Sequence, residues 1–117
     1  MIINSTQVGN ITISEIKSDE VVLKNDQSVI ALISEGLSDH IILSEHNVST
    51  DFFDLSTRNA GDILQKFSNY FTKIALIGDF EKYPSKVLKD FIYECNKTGD
   101  HLFVKSRDEA IKHWMKR

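Results

Sequence analysis

Residues 74–104, IALIGDFEKYPSKVLKDFIYECNKTGDHLFV, contain the pattern that decides the fold of this chain. An apolar run at residues 74–77 and another at residues 102–104 enclose a stretch with helical spacing. Each run is too short for a helix and too uniformly apolar for a strand with one exposed face, so both are predicted to be central strands covered on both sides. The helix between them is predicted to bury a face formed by Val87, Leu88, Phe91, Ile92 and Cys95.

The same alternation continues along the chain. Residues 41–43 form a third apolar run, and residues 58–71 have the spacing of another long helix. A last helix follows Ser106, which begins a capping box with Glu109. Strands and helices that alternate in this way are typical of a parallel sheet. The apolar face of the helix at residues 58–71 is predicted to consist of Ala60, Ile63, Leu64, Phe67 and Phe71.

The N-terminal part of the chain has the period of strands. Gly9-Asn10 supplies a turn, which favours an antiparallel opening. A short helix is then predicted from about Asp26, as its N-cap, to Gly36. The predicted N-terminal strands are residues 1–5, 10–16 and 20–24.

Together these elements predict an α/β fold. We expect a mixed, mainly parallel central sheet with an antiparallel N-terminal strand pair and with helices packed on it. The chain has 117 residues, of which 41% are hydrophobic and 26% are charged, as in ordinary globular proteins. Residues 1–117 are therefore expected to form a single domain with a substantial core.

Charge and cysteine content exclude several classes of protein. The net charge of −3 and the interspersed signs argue against a nucleic-acid-binding protein. Cys95 is the only cysteine, so neither an intramolecular disulfide nor a cysteine-based zinc site can form. Its place on an apolar helix face predicts a buried, inert thiol. No secretion signal and no stretch of about 20 apolar residues is present, so a cytoplasmic protein without membrane contact is expected.

The connection at residues 44–57 is the most function-like feature of the chain. It has about fourteen residues, far more than a typical strand-to-helix connection, and it follows the carboxyl end of a predicted parallel strand. Asp51-Phe52-Phe53-Asp54 places two carboxylates around two large rings. Adjacent side chains of an extended segment point to opposite sides, so at least one ring is expected to be available to a partner. The alternative is that both rings close the end of the sheet.

Hydroxyl and charged side chains around this loop are further candidates. Ser56 and Thr57 precede the second long helix, where hydroxyls cap the helix or, alternatively, are phosphorylated or help to bind an anion. Asp79, in the next loop, is a candidate lining residue of a binding pocket, and Tyr83 and Lys86 are candidate binding residues beside it.

Metal binding and catalysis have weaker support. Asp51, Asp54, Asp79 and Glu81 would suit a magnesium site only if the fold brought them together, and solvated loop acids are far more common. We therefore assign no metal, no cofactor and no catalytic residue. The scattered histidines have no ligand spacing and are expected at surface or cap positions; they are His40, His46, His101 and His113.

Several stretches of the sequence resemble one bacterial family. They are residues 51–55 (DFFDL), 60–70 (AGDILQKFSNY), 77–80 (IGDF) and 90–94 (DFIYE). With them the chain resembles the family DUF4180, a domain of unknown function, from the second strand to the last helix. The resemblance implies a glycine at the position that Arg58 occupies here.

The order of the elements also resembles the sulfate transporter and anti-sigma factor antagonist (STAS) fold. That resemblance implies a protein-binding activity and a phosphorylatable serine in the loop before the second helix. Ser56, in Asp54-Leu55-Ser56-Thr57, occupies the comparable place.

Two functional hypotheses follow from the sequence. The first is an interaction module, not an enzyme, which presents residues 49–57 to a protein partner and is open to phosphorylation at Ser56 or Thr57. The second is binding of a small molecule or an anion, with or without catalysis, at the carboxyl ends of the strands. Its pocket would be ringed by Asp51, Asp54, Ser56, Asp79 and Lys86. Spare aromatic surface also allows a homodimer.

Overall fold

A computed structural model, which describes residues 1–116, contains one five-stranded sheet. The strands lie side by side in sequence order; β1 and β2 are antiparallel, and every later pair is parallel. The predicted α/β fold class is therefore confirmed. The strands are β1 (Ile2–Val8), β2 (Ile11–Lys17), β3 (His40–Ser44), β4 (Lys73–Ile77) and β5 (Leu102–Val104).

Helices connect the strands and cover the sheet. Single turns of 3₁₀ helix also occur at Glu45–Asn47, Thr50–Phe53, Leu55–Thr57 and Phe80–Lys82, all beyond the carboxyl ends of strands. The α-helices are α1 (Asp26–Ile33), α2 (Asn59–Asn69), α3 (Lys86–Thr98) and α4 (Arg107–Trp114).

Both faces of the central strands are buried, as their uniformly apolar sequence predicts. On one face, strand residues such as Ile41 and Ile74 share a hydrophobic cluster with side chains of α1, α2 and α3. On the other face, Ile42 and Ala75 belong to a second cluster that is covered by Trp114 of α4. The sheet is thus the middle layer of three.

The predictions of two element boundaries and of one buried position were wrong for local reasons. β1 continues to Val8 because it pairs with β2 along its whole length, up to the turn at Gly9. Asn25, not Asp26, caps α1, since its side chain accepts from the Ser28 N–H. Val87, predicted on the buried face of α3, is 66% exposed because the helix turns that position away from the core.

Residues 20–24 were predicted as a strand, but they form only an isolated bridge between Leu23 and Val48. The buried Asn47 holds this segment in place. Its carbonyl accepts from the N–H groups of Val22 and Leu23 at 2.8 and 3.0 Å, and its amide donates to the Glu20 carbonyl at 2.9 Å. The segment therefore follows the loop after β3 and does not join the sheet.

Phe71 was predicted on the buried face of α2, but α2 ends before it and its ring is 89% exposed. The backbone turns here with a φ of 55°, in the left-handed region that favours glycine. The Thr72 N–H donates to the Phe67 carbonyl at 2.9 Å and the Phe71 N–H to that of Ser68 at 3.0 Å. This is the Schellman pattern that ends many helices, with phenylalanine where glycine is usual.

Phe71→Gly is therefore expected to increase the free energy of unfolding by about 1 kcal/mol, because a left-handed conformation strains a residue with a Cβ atom. Urea denaturation measures the change. Phe71→Ala is the matched control, since it removes the same exposed ring but keeps the Cβ atom. Equal stability of the two variants would contradict the backbone explanation.

His101 was expected at the surface, but it is buried between α2 and the start of β4. Its Nδ1 accepts from the Ile74 N–H at 3.3 Å, and its Nε2 lies 2.8 Å from the Ser68 hydroxyl. Burial lowers the pKa of His101 below its ordinary value of 6.5, aided by the charge of Lys73 and opposed by that of Asp100. The fold therefore disfavours protonation of this imidazole.

The stability of the protein is expected to fall as pH decreases through about 6.5, because the unfolded chain takes up a proton on His101 that the folded chain excludes. One such group adds a slope of at most about 1.4 kcal/mol per pH unit. Urea denaturation at pH values from about 5 to about 8 measures this slope for the wild type and for His101→Asn. An unchanged slope in the variant would show that another group is responsible.

Candidate functional site

A cleft of about 550 Å³ opens beyond the carboxyl ends of β3 and β4, the edge at which the sequence predicts a site. Its floor is apolar and aromatic, while Thr50, His46 and Lys82 lie on its exposed rim. Its volume is within the usual range for small-molecule sites, about 300–1,000 Å³. Other lining residues are Val21, Ser44, Glu45, Val48, Phe53, Ile77 and Tyr83.

Glu45 is the centre of the polar contacts in this cleft. Its carboxylate accepts from the Tyr83 hydroxyl at 2.8 Å and from the Asp79 N–H at 3.3 Å, and it lies 2.9 Å from the Lys82 ammonium. Burial raises the pKa of Glu45, but these three donors outweigh burial, so the pKa lies below its ordinary value. Burial and the bond to Glu45 raise the pKa of Tyr83. Glu45 is therefore a carboxylate that fastens the loop after β3 to the loop after β4.

Gly78 makes this contact possible, because it leaves room for Glu45 beside the end of β4. A Cβ atom at position 78 would lie 2.6 Å from Oε1 of Glu45 and 2.9 Å from its Cβ atom. Both distances are shorter than real contacts of a Cβ atom. Only glycine fits at this position without a shift of the loop.

Phe52 and Phe53 are buried, with exposed fractions of 0% and 9%, so the expectation of a poorly covered ring is wrong, although Phe53 contributes to the lining of the cleft. The alternative, in which both rings close the end of the sheet, is confirmed. Their rings meet edge to face at 5.0 Å, and Phe53 stacks on Tyr83 at 4.8 Å. Phe80 and Phe103 continue this aromatic cluster towards β5. The extended segment assumed for this loop is in fact a 3₁₀ turn, which directs both rings inward.

The hydroxyls that follow have two different roles. Asp54 accepts from both the backbone N–H of Ser56, at 3.1 Å, and its hydroxyl, at 2.7 Å. These two bonds lower the pKa of Asp54. The Thr57 hydroxyl, in contrast, lies within 3 Å of the carbonyls of Asp51 and Asp54 and closes the loop on itself. Ser56 is exposed and bonded only within its own turn, whereas Thr57 is a structural contact.

Arg58 lies between this loop and α2, as the residue before the helix, and has a φ of 64°. Glycine adopts this left-handed conformation without strain. The glycine that the family resemblance implies here would therefore suit the backbone of this turn. In this chain, an exposed guanidinium stands there instead.

The remaining acidic and basic candidates do not line the cleft. Asp79 caps its own turn by accepting from the Glu81 N–H at 3.2 Å. Lys86 is exposed and pairs with Asp90 along α3 at 2.8 Å. Among residues 1–116, no three His, Cys, Asp or Glu side chains are placed to hold a metal ion. Of the predicted site residues, the structure brings Phe53 and Tyr83 into the cleft and leaves Asp51, Phe52, Asp54, Ser56, Thr57, Asp79 and Lys86 outside its lining.

Sequence reasoning missed Glu45, His46 and Lys82 as lining residues. The position of Glu45, immediately beyond the apolar run of β3, was the available signal, since residues there reach the ligand edge of a parallel sheet. Cys95, in contrast, agrees with the inert thiol expected: it is half-buried, and burial raises its pKa to about 11.

Gly78→Ala is expected to decrease the free energy of unfolding by about 1–3 kcal/mol, because its methyl group would displace Glu45. Gly61→Ala is the matched control. Gly61 lies in α2 with open space around it, so the same substitution should stabilise the protein by roughly 0.5–1 kcal/mol. Thermal and urea denaturation measure both changes. A Gly78→Ala protein as stable as the wild type would mean that Glu45 can leave this position freely.

Comparison with known proteins identifies the family. The search of curated proteins and the search of solved structures returned no match. Among residues 1–116, no helix is long and apolar enough to cross a membrane. The family model described as a domain of unknown function, DUF4180, matches residues 8–114, which include every element from the end of β1 to α4. The chain therefore belongs to the DUF4180 family.

Proposed function

We propose that this protein is a STAS-like interaction module, not an enzyme, which binds a protein partner at the carboxyl edge of its sheet. The binding surface would be the outer side of residues 49–57 together with the adjoining cleft around Glu45. The observation that carries the proposal is the cleft itself, whose lining combines the apolar side chains of Val21, Phe53 and Ile77 with an exposed polar rim. Apolar centres surrounded by polar residues are typical of protein interfaces.

The order of elements supports the STAS-like part of the proposal. A strand pair is followed by alternating helices and strands, and the described chain ends in a helix, which is the order that the resemblance implies. The long loop before α2 lies at the carboxyl edge, in the comparable position. A shared fold alone does not determine function, so the interaction role depends on the surface.

The chemistry of the cleft favours binding over catalysis. Both oxygens of the Glu45 carboxylate accept hydrogen bonds, and its pKa is lowered, so it is a poor general base. His46 does not approach Glu45 in a hydrogen bond; its Nε2 lies 2.8 Å from the Ser18 carbonyl. The Tyr83 hydroxyl is hydrogen-bonded to Glu45, but burial and that carboxylate raise the pKa of Tyr83, which makes it a poor nucleophile.

Phosphorylation of Ser56 is the proposed control of this surface. A phosphoryl group there would remove the hydroxyl donor to Asp54 and place about two negative charges beside that carboxylate. Repulsion would open the turn at Asp54 and change the surface that the partner meets. Thr57 is less suitable, because its hydroxyl already closes the loop. The proposed setting is the cytoplasm of a bacterium.

The proposal is tested by affinity capture from cells with Val21→Asp combined with Thr50→Arg. Both positions lie in the cleft lining and are exposed, so the charges should block binding while the core stays intact. Partners held by the wild type should be lost, by at least about tenfold in affinity or about 1.4 kcal/mol. Val87→Asp, on the exposed side of α3, is the control that should keep them. Unchanged capture by the double variant would refute this binding surface.

A second candidate function is small-molecule binding, and the volume of the same cleft favours it. A thermal-shift screen distinguishes the two, because a ligand at 100 times its dissociation constant adds about 2.7 kcal/mol of stability. A shift that Val21→Asp with Thr50→Arg abolishes would support this candidate, and a screen without shifts would leave protein binding favoured.

A further inference from the structure

A second cleft, of about 590 Å³, opens at the opposite, amino-terminal edge of the sheet. It lies where β3 and β4 begin and where α3 and α4 end, next to the turn between β1 and β2. Ile11 and Trp114 supply its apolar part, and both belong to the cluster beneath α4. Its volume suits a small organic molecule, and it shares no lining residue with the cleft around Glu45.

The ionisable groups of this amino-edge cleft are all basic. Lys73, Lys97 and Lys116 line it together with His40 and His113, and none of its described lining residues carries a carboxylate. This is unusual for a chain with a net charge of −3. The described lining therefore offers an anion ammonium groups and no carboxylate.

Neighbouring groups offset most of this charge, but within residues 1–116 they leave two lysines without an ion pair. Lys73 lies 3.6 Å from Asp100, so its charge is largely offset. The carboxyl ends of α3 and α4 point towards the cleft and contribute about half a negative charge each. Lys97 and Lys116 outweigh these two helix ends, and within the described residues neither lysine makes an ion pair. Asp39, which lies 2.9 Å from His40, brings the positive and negative charges around the cleft close to balance, so the attraction for an anion would come from direct contact with the two unpaired ammonium groups.

Trp114 adds an independent observation. Its side chain lines the cleft and is 8% exposed, yet its indole Nε1 is buried and has no hydrogen-bond acceptor within residues 1–116. A buried donor without a partner costs about 1–3 kcal/mol, so such groups normally have one. His40 packs against this indole edge to face at 4.9 Å. An acceptor on a bound molecule would satisfy the indole once the rings of Trp114 and His40 moved apart, because Nε1 is closed off from the cleft in this structure.

We propose that this cleft binds a small organic phosphate. The phosphoryl group would lie between Lys97 and Lys116, since lysine ammonium groups bind phosphate as point charges. The organic part would cover Ile11 and the ring of Trp114. This site is independent of the proposed function at the carboxyl edge, with which it shares no residue.

Trp114 is the only tryptophan of the chain, so its fluorescence reports on this cleft directly. The test is titration of the full chain with phenyl phosphate at constant ionic strength, with thermal unfolding as a second readout. We expect saturable binding, and a dissociation constant at least about tenfold larger for Lys97→Gln with Lys116→Gln. Lys24→Gln with Lys89→Gln is the control, because it removes two exposed lysine charges outside the cleft. Its affinity should match that of the wild type.

Three outcomes would overturn the proposal. The first is the absence of a saturable change in either readout at millimolar phenyl phosphate. The second is a result in which the two lysine substitutions have no specific effect. Either the Lys97→Gln, Lys116→Gln variant would bind as tightly as the wild type, or binding by the control variant would be weakened equally, which would indicate unspecific attraction. The third is inorganic phosphate binding as tightly as phenyl phosphate, since the organic part would then contribute nothing. Phenol, which lacks the charge, should not bind.

Discussion

The burial of Phe52 and Phe53 beyond the carboxyl ends of β3 and β4 is the contact on which this edge of the protein depends. The two rings join a cluster with Phe80 and Phe103, so side chains from three separate loops and strands meet there. A parallel sheet covered on both faces still has open ends, and large aromatic rings remove those ends from water. The long loop before α2 is compact for this reason, and its polar residues are left on the outside.

Glu45 and Gly78 build on that aromatic cluster. The rings place the loops after β3 and β4 side by side, and the carboxylate then joins them through Tyr83 and Lys82. The result is a recessed cleft whose polar centre is already saturated with hydrogen bonds. The opposite edge of the sheet differs, because helix ends and lysines meet there around Trp114. The two edges therefore differ in chemistry, with a hydrogen-bonded carboxylate in the cleft at one and lysines in the cleft at the other.

Most of the fold could be predicted from local patterns. Runs such as residues 41–43 and 74–77 indicate buried strands because each residue must be apolar when both faces are covered. The errors arose where tertiary contacts override a local pattern. Residues 20–24 have strand-like composition, but their backbone groups form hydrogen bonds with Asn47 and not with a strand of the sheet. Phe71 continues the helical spacing of α2, but a left-handed turn ends the helix before it.

The sequence by itself determined the α/β class, the central strands, the order of the elements apart from residues 20–24, and the edge of the sheet at which the long loop lies. Periodicity and capping residues carry that information over short distances along the chain. Only the tertiary structure decided which side chains meet. Glu45 lies 33 positions before Gly78 and 38 positions before Tyr83, and Trp114 is far along the chain from Ile11. Whether the rings of Phe52 and Phe53 point inward likewise depends on a 3₁₀ turn and on partners that the local sequence does not contain.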